Sequence, residues 1–153
     1  MTRAYVGVGA NLGDREGTIR AALAALDARR DVAVVAVSTL RETDPVGYLE
    51  QPPFLNGVAA LETELAPREL LDALLEVERE LGRVRGEGPR YGPRPIDLDL
   101  LLHGDLVLDE PGLVVPHPRL HERLFALEPL AELEPALVVP GRGAVKDLIA
   151  RLE

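Results

Sequence analysis

The segment "RVRGEGPRYGPRPIDLDLLLHG", residues 83–104, decides how the rest of the chain is read. It opens with four arginines in twelve positions, interrupted by glycine and proline, and passes into a run that alternates acidic and apolar side chains. A period of two is that of a strand, which puts Asp97 and Asp99 on one face and Ile96, Leu98, Leu100 and Leu102 on the other. Gly104 and Asp105 then supply a hairpin turn.

Working back from this strand, Pro67 opens a helix at its first turn, with Leu70, Leu71, Leu74, Leu75 and Leu81 on its inner side and Gly82 closing it. "FLNGVAALET" (54–63) and "VAVVAVSTL" (32–40) are β-rich and strand-like. Between them, residues 41–53 carry Pro45, Gly47, Pro52 and Pro53 and read as a long loop. Ile19, Ala22, Leu23 and Leu26 recur at helical spacing behind a capping Asp14, and "RAYVGVG" (3–9) is a short buried strand. Forward of residue 104 come a short strand "LVL" (106–108), a short helix in "VVPHPRLHERLFAL" (114–127), a last strand in "ALVVP" (136–140) and a terminal helix over 144–152.

The order strand, helix, strand, strand, helix, strand is the split βαβ pattern. The expected class is α+β: a ferredoxin-like βαββαβ core with a C-terminal strand/helix extension, and a mostly antiparallel sheet with helices packed on it. One domain over residues 1–153 suits this length. Two loops of about thirteen residues, 41–53 and 82–95, exceed the usual connection and are candidate binding loops.

Composition narrows the partners. The net charge of −9 argues against nucleic acid or an anionic membrane surface, and no apolar run is long enough to span a bilayer. Without cysteine there is no disulfide, thiol chemistry or thiolate metal site. A cytoplasmic monomer acting on small molecules is the expectation. Arginine dominates the basic residues, amides are few and prolines many, which fits a heat-adapted protein or a GC-rich genome equally.

Asp97 and Asp99 admit two readings, a solvated sheet face or a hard-oxygen site for Mg²⁺. Arg83, Arg85, Arg90 and Arg94 just ahead cannot deprotonate, and their forked donors match phosphate oxygens. Cations for phosphate beside carboxylates for Mg²⁺ are the parts of a phosphoryl-transfer site. No G-x-x-x-x-G-K-[ST] loop is present, and the one lysine is Lys146, so a P-loop enzyme is excluded. "GVGANLG" (7–13) has the wrong spacing for a dinucleotide fingerprint and reads as a tight strand-to-helix turn. A dinucleotide-binding oxidoreductase and a ligand-sensing module without chemistry stand as the competing classes.

At "YGPRPIDLDLLLHG" the chain resembles the 6-hydroxymethyl-7,8-dihydropterin pyrophosphokinase family, whose signature G-P-R-x-x-D-x-D is filled by Gly92, Pro93, Arg94, Asp97 and Asp99. "GANLGD", "TDPVGYLEQPPFLNGV" and "VPHPRLHERLF" resemble three further segments of that family, in order along nearly the whole chain. The resemblance implies transfer of the β,γ-pyrophosphoryl group of ATP to the pterin hydroxymethyl group, with release of AMP. It further implies that Asp97 and Asp99 hold two Mg²⁺ ions and that Arg83 and Arg94 act on the phosphates in catalysis. Glu78, Arg85, Leu98, His117 and Arg123 would contact ATP. Asn11, Thr43, Asp44, Pro45, Val46 and Asn56 would contact the pterin, with Phe54 and Phe125 sandwiching its ring.

Overall fold

The computed structural model describes residues 1–44, 51–82 and 95–153. Its centre is a five-stranded antiparallel sheet. Strand β1 (Thr2–Ala10) runs down the middle, flanked by β4 (Phe54–Thr63) and β5 (Asp97–His103). Beyond β4 lie β2 (Val32–Val37) and, further along the same edge, β3 (Arg41–Thr43). The order β2-β4-β1-β5 is the one expected of a ferredoxin-like core.

Helices α1 (Arg15–Asp27) and α2 (Pro67–Glu80) complete that core. Asp14 caps α1 by accepting Gly17 N–H at 3.0 Å, and Glu69 reaches back to Ala66 N–H at 2.9 Å at the start of α2. Gly82 closes α2 with a φ of 94°. Ile19, Ala22 and Leu26 of α1, with Leu70, Leu74 and Val77 of α2, pack on Val6, Val8, Leu61, Leu98 and Leu100 to form one core.

The opposite sheet face has its own core. There α3 (Leu124–Leu133) and α4 (Val145–Leu152) set Ala126, Leu127, Leu130, Val145 and Leu148 against Tyr5, Val58, Ala60 and Leu102. A 3-10 turn, Leu120–Glu122, leads into α3. Two small ribbons complete the extension: β6 (Leu108–Glu110) with β7 (Leu113–Val115), and β8 (Val138–Val139) with β9 (Gly143–Ala144). Among the described residues no helix is long and apolar enough to cross a membrane.

Four expectations change. Residues 41–43, read as loop, form β3, because they find free edge partners at Phe54–Asn56 of β4. Gly104 and Asp105 do form a turn, but it makes no hairpin, since β6 pairs with β7 instead of β5. Leu102 does not share the face of Leu98 and Leu100. The register with β1 slips between Tyr5↔Leu102 and Val6↔Leu100, so Leu101 is an extra residue and the alternation resets. "GVGANLG" is no single turn either: Gly7 and Gly9 lie inside β1, and Gly13 alone has positive φ, 60°.

Candidate active site

The α3/α4 layer covers only part of its sheet face. Beside it the sheet lies open as a cleft whose floor is Gly7 and Gly9 of β1. Register determines what borders this floor. Gly9 stands opposite Asn56 on one side and Asp97 on the other, and Gly7 stands opposite Val58 and Asp99. Directly paired residues of antiparallel strands project to the same face, so Asn56, Asp97 and Asp99 all rise around a strip that has no side chains. A Cβ on Gly9 would collide with Asn56 Oδ1.

On the β4 side, Asn56 donates its amide to Thr43 Oγ1 across the β3–β4 pair. Thr43, Asp44 and Phe54 line the cleft beside it. Phe125 at the start of α3 lines it from the opposite layer, so the two phenylalanines of the chain border one space. Both are half-buried rather than sealed in a core. The Arg123 guanidinium lies over the Phe125 ring, 5.5 Å from its centroid, and its buried Nε has no hydrogen-bond partner among the described residues.

On the β5 side, Asp97 and Asp99 are half-buried and line the cleft with His117 and Arg123. His117 follows the β7 strand and is fixed through its backbone: its N–H donates to the carbonyl of Leu101, the extra residue of β5, at 2.9 Å. Its Nδ1 accepts Arg119 N–H at 3.2 Å, which makes Nε2 the protonated nitrogen. Burial lowers its pKa to about 4, helped by Arg123, Arg142 and Arg119, with Asp97 opposing. The ring is therefore neutral at pH 7.

Three residues expected at the site stand beneath or beside the cleft. Glu78 is 1% exposed on α2, on the far side of the sheet, where its Oε2 accepts Leu98 N–H at 2.7 Å. The Leu98 side chain is buried in the α1/α2 core. Asn11, 2% exposed, donates to Gln51 Oε1 at 2.7 Å and to the Pro52 carbonyl at 3.1 Å. Arg15 adds a bond to the Pro53 carbonyl at 3.1 Å, so residues 51–53 are strapped onto the β1–α1 junction just ahead of Phe54. Pro45, Val46, Arg83, Arg85 and Arg94 lie outside the described residues.

Sequence reasoning missed the glycine floor, the Arg15 strap and the cleft contacts of Leu101 and Leu120. The first had a signal. Two glycines at i and i+2 in an apolar strand mark a bare strip on one face, where something else must fit. For the others no local pattern exists, since each depends on tertiary register.

Among the described residues no cluster of three or more His, Cys, Asp or Glu could hold a metal by itself. Two carboxylates on one strand face instead suit a hard cation that completes its shell with water and phosphate oxygens.

The sequence model described as 7,8-dihydro-6-hydroxymethylpterin-pyrophosphokinase matches residues 5–135. The chain is 49% identical over 150 residues to the 2-amino-4-hydroxy-6-hydroxymethyldihydropteridine pyrophosphokinase of Pseudomonas aeruginosa, covering 98% of this chain and 91% of that one. To the protein of the same name in Bacillus subtilis it is 48% identical over 130 residues, 85% of this chain and 77% of that one. The folic acid synthesis protein fol1 of Schizosaccharomyces pombe is 44% identical over 137 residues, which are 90% of this chain but 18% of that protein.

Proposed function

Because the chain belongs to the 7,8-dihydro-6-hydroxymethylpterin-pyrophosphokinase family, we propose the following division of labour among its own residues. The enzyme transfers the β,γ-pyrophosphoryl group of ATP to the hydroxymethyl group of 6-hydroxymethyl-7,8-dihydropterin, giving AMP and the pterin diphosphate, a step of folate synthesis. The observation that carries the assignment of residues is the cross-strand row Asn56–Gly9–Asp97. It sets an amide that can read a heterocycle and a carboxylate that can hold a cation on either side of one bare residue.

On the β4 side, Asn56 hydrogen-bonds the pterin edge, with Thr43 and Asp44 beside it, while Phe54 and Phe125 take its two faces. A flat heterocycle over a glycine floor leaves its hydroxymethyl arm free to extend toward β5. There Asp97 and Asp99 would hold two Mg²⁺ ions. Bound Mg²⁺ neutralises triphosphate charge and lowers the pKa of a coordinated alcohol. Arg123 contributes a cation without a carboxylate partner among the described residues, and Arg83, Arg85 and Arg94 add further guanidinium groups for the phosphates. Neutral His117 offers Nε2–H to the nucleotide as a donor that needs no charge. Glu78 and Leu98 act from below, by fixing the backbone between the two aspartates, and Asn11 acts by fixing the strap ahead of Phe54. On this reading the enzyme works as a monomer on two small molecules in the cytoplasm.

Chromatography of the nucleotides formed from ATP, Mg²⁺ and the hydroxymethyl dihydropterin tests this function. AMP stoichiometric with pterin diphosphate is expected; ADP with a pterin monophosphate would overturn it.

A further inference from the structure

The β8–β9 ribbon lies beyond the residues 5–135 that the family model matches, yet it reaches back to the cleft. Its tip is Gly141-Arg142-Gly143, with φ of 77° and 110° at the two glycines, a backbone that other residues rarely adopt. Arg142 N–H closes this turn on the Val139 carbonyl at 3.0 Å. The half-buried side chain then donates from Nη1 to the His117 carbonyl at 2.6 Å. No acid pairs with Arg142 among the described residues, so this carbonyl is the partner its charge has.

The bond completes a set. His117 N–H is held by Leu101, its ring Nδ1 by Arg119 N–H, and its C=O by Leu120 N–H at 3.1 Å and, more closely, by Arg142. Leu101 lies on β5, Arg119 and Leu120 at the 3-10 turn, and Arg142 at the tip of the β8–β9 ribbon, and together they use every polar group of the residue except Nε2. A residue fixed at backbone and ring can aim its last donor only one way. We propose that Arg142 is a positioning residue for the nucleotide half of the cleft: it clamps the His117 carbonyl and so fixes the ring that presents Nε2–H to ATP. A short charge-assisted bond to a backbone carbonyl has the strength for this task. The inference rests on the pyrophosphokinase reading for the identity of the nucleotide, but the clamp itself is a property of this chain's C-terminal ribbon.

The test uses Arg142→Met, which keeps the length and apolar stem, and Arg142→Lys, which keeps the charge. Arg142→Met should raise KM for ATP roughly tenfold, the scale of one charged hydrogen bond, with KM for the pterin unchanged and the melting temperature lowered only by the loss of that one bond. In NMR spectra the His117 ring of this variant should lose its single orientation, while Arg142→Lys keeps it. Arg142→Lys should recover most of the ATP affinity. An unchanged KM for ATP, or a His117 ring still fixed in Arg142→Met, overturns the proposal. So does a rise of both KM values together with a fall in melting temperature, since that is the mark of a merely structural residue. If the natural protein makes no AMP, the pyrophosphokinase reading fails on its own, and the orientation of the His117 ring in Arg142→Met still decides the clamp.

Discussion

Asn56 occupies the space that any side chain at Gly9 would need. The two are directly paired across β1 and β4, and a Cβ on Gly9 would overlap Asn56 Oδ1. The backbone at Gly9 has no positive φ, so the demand for glycine there is one of room.

Gly9→Ala therefore displaces the Asn56 amide from Thr43 and raises the floor under the heterocycle. Pterin affinity should fall by tenfold or more, the equivalent of one or two hydrogen bonds, while binding of an ATP analogue is retained. Calorimetry with each ligand separately reads the difference. Equal loss for both ligands would mean that the strand itself had been disturbed.

Asp97 and Glu78 sit one residue apart in effect, on opposite faces of β5, and predict opposite outcomes. Asp97→Ala or Asp99→Ala empties the open face, so turnover should drop to a small residue while the melting temperature stays near that of the natural protein. Glu78→Ala leaves Leu98 N–H without its acceptor and opens a cavity under α2, at a cost of about 2–4 kcal/mol. Denaturant unfolding and steady-state rates on the same three variants separate the roles. Full activity in Asp97→Ala at saturating Mg²⁺ would remove it from the metal site.

The two phenylalanines differ in what else they touch. Phe54→Ala should weaken pterin binding alone, by the roughly 0.5–1.5 kcal/mol of ring stacking plus lost area. Phe125→Ala should weaken both ligands, because the Arg123 guanidinium lies over that ring and loses its support. Leucine should be milder at both positions. Identical ligand profiles for the two alanine variants would contradict the separate roles.

His117 also sets a pH dependence. Its folded pKa of about 4 lies below the ordinary 6.5, so between these values the unfolded chain binds the proton and the folded one does not. Its contribution to stability is present in full above pH 6.5 and is lost as pH falls toward 4. Unfolding free energies measured across this window should decline less steeply in His117→Gln than in the natural protein. Parallel curves would show that the ring is not held neutral by its surroundings.

Much of this architecture was legible because period and punctuation agreed. The helices over Ile19–Leu26 and Leu70–Val77 declared themselves by apolar spacing and by Asp14, Pro67 and Gly82 at their ends. The acid face of β5 followed from alternation alone, and the elements in order gave the sheet. What stayed hidden depends on pairing between distant residues. Strand β3 is three residues long and exists because β4 offers an edge. Leu102 changes face because β5 slips by one residue against β1, which no feature of "DLDLLLH" announces. At the site, resemblance gathered Asn56, Phe54, Phe125, Asp97, Asp99 and His117, which do line one cleft together. It did not distinguish Glu78, Leu98 and Asn11, whose carboxylate, amide and backbone groups serve the supporting structure, because a motif records which residues recur and not which way they face.

The strap over residues 51–53 has a thermal consequence. Among the described residues its fastenings, two from Asn11 and one from Arg15, originate where β1 passes into α1. That first helical turn depends on the Asp14 cap, at an exposed end where fraying begins. As temperature rises, the turn loosens before the sheet does, and Phe54 loses its tether while the aspartate strand stays in place. Heterocycle affinity should then fade well below the global melting point, making it a thermometer for one turn of one helix.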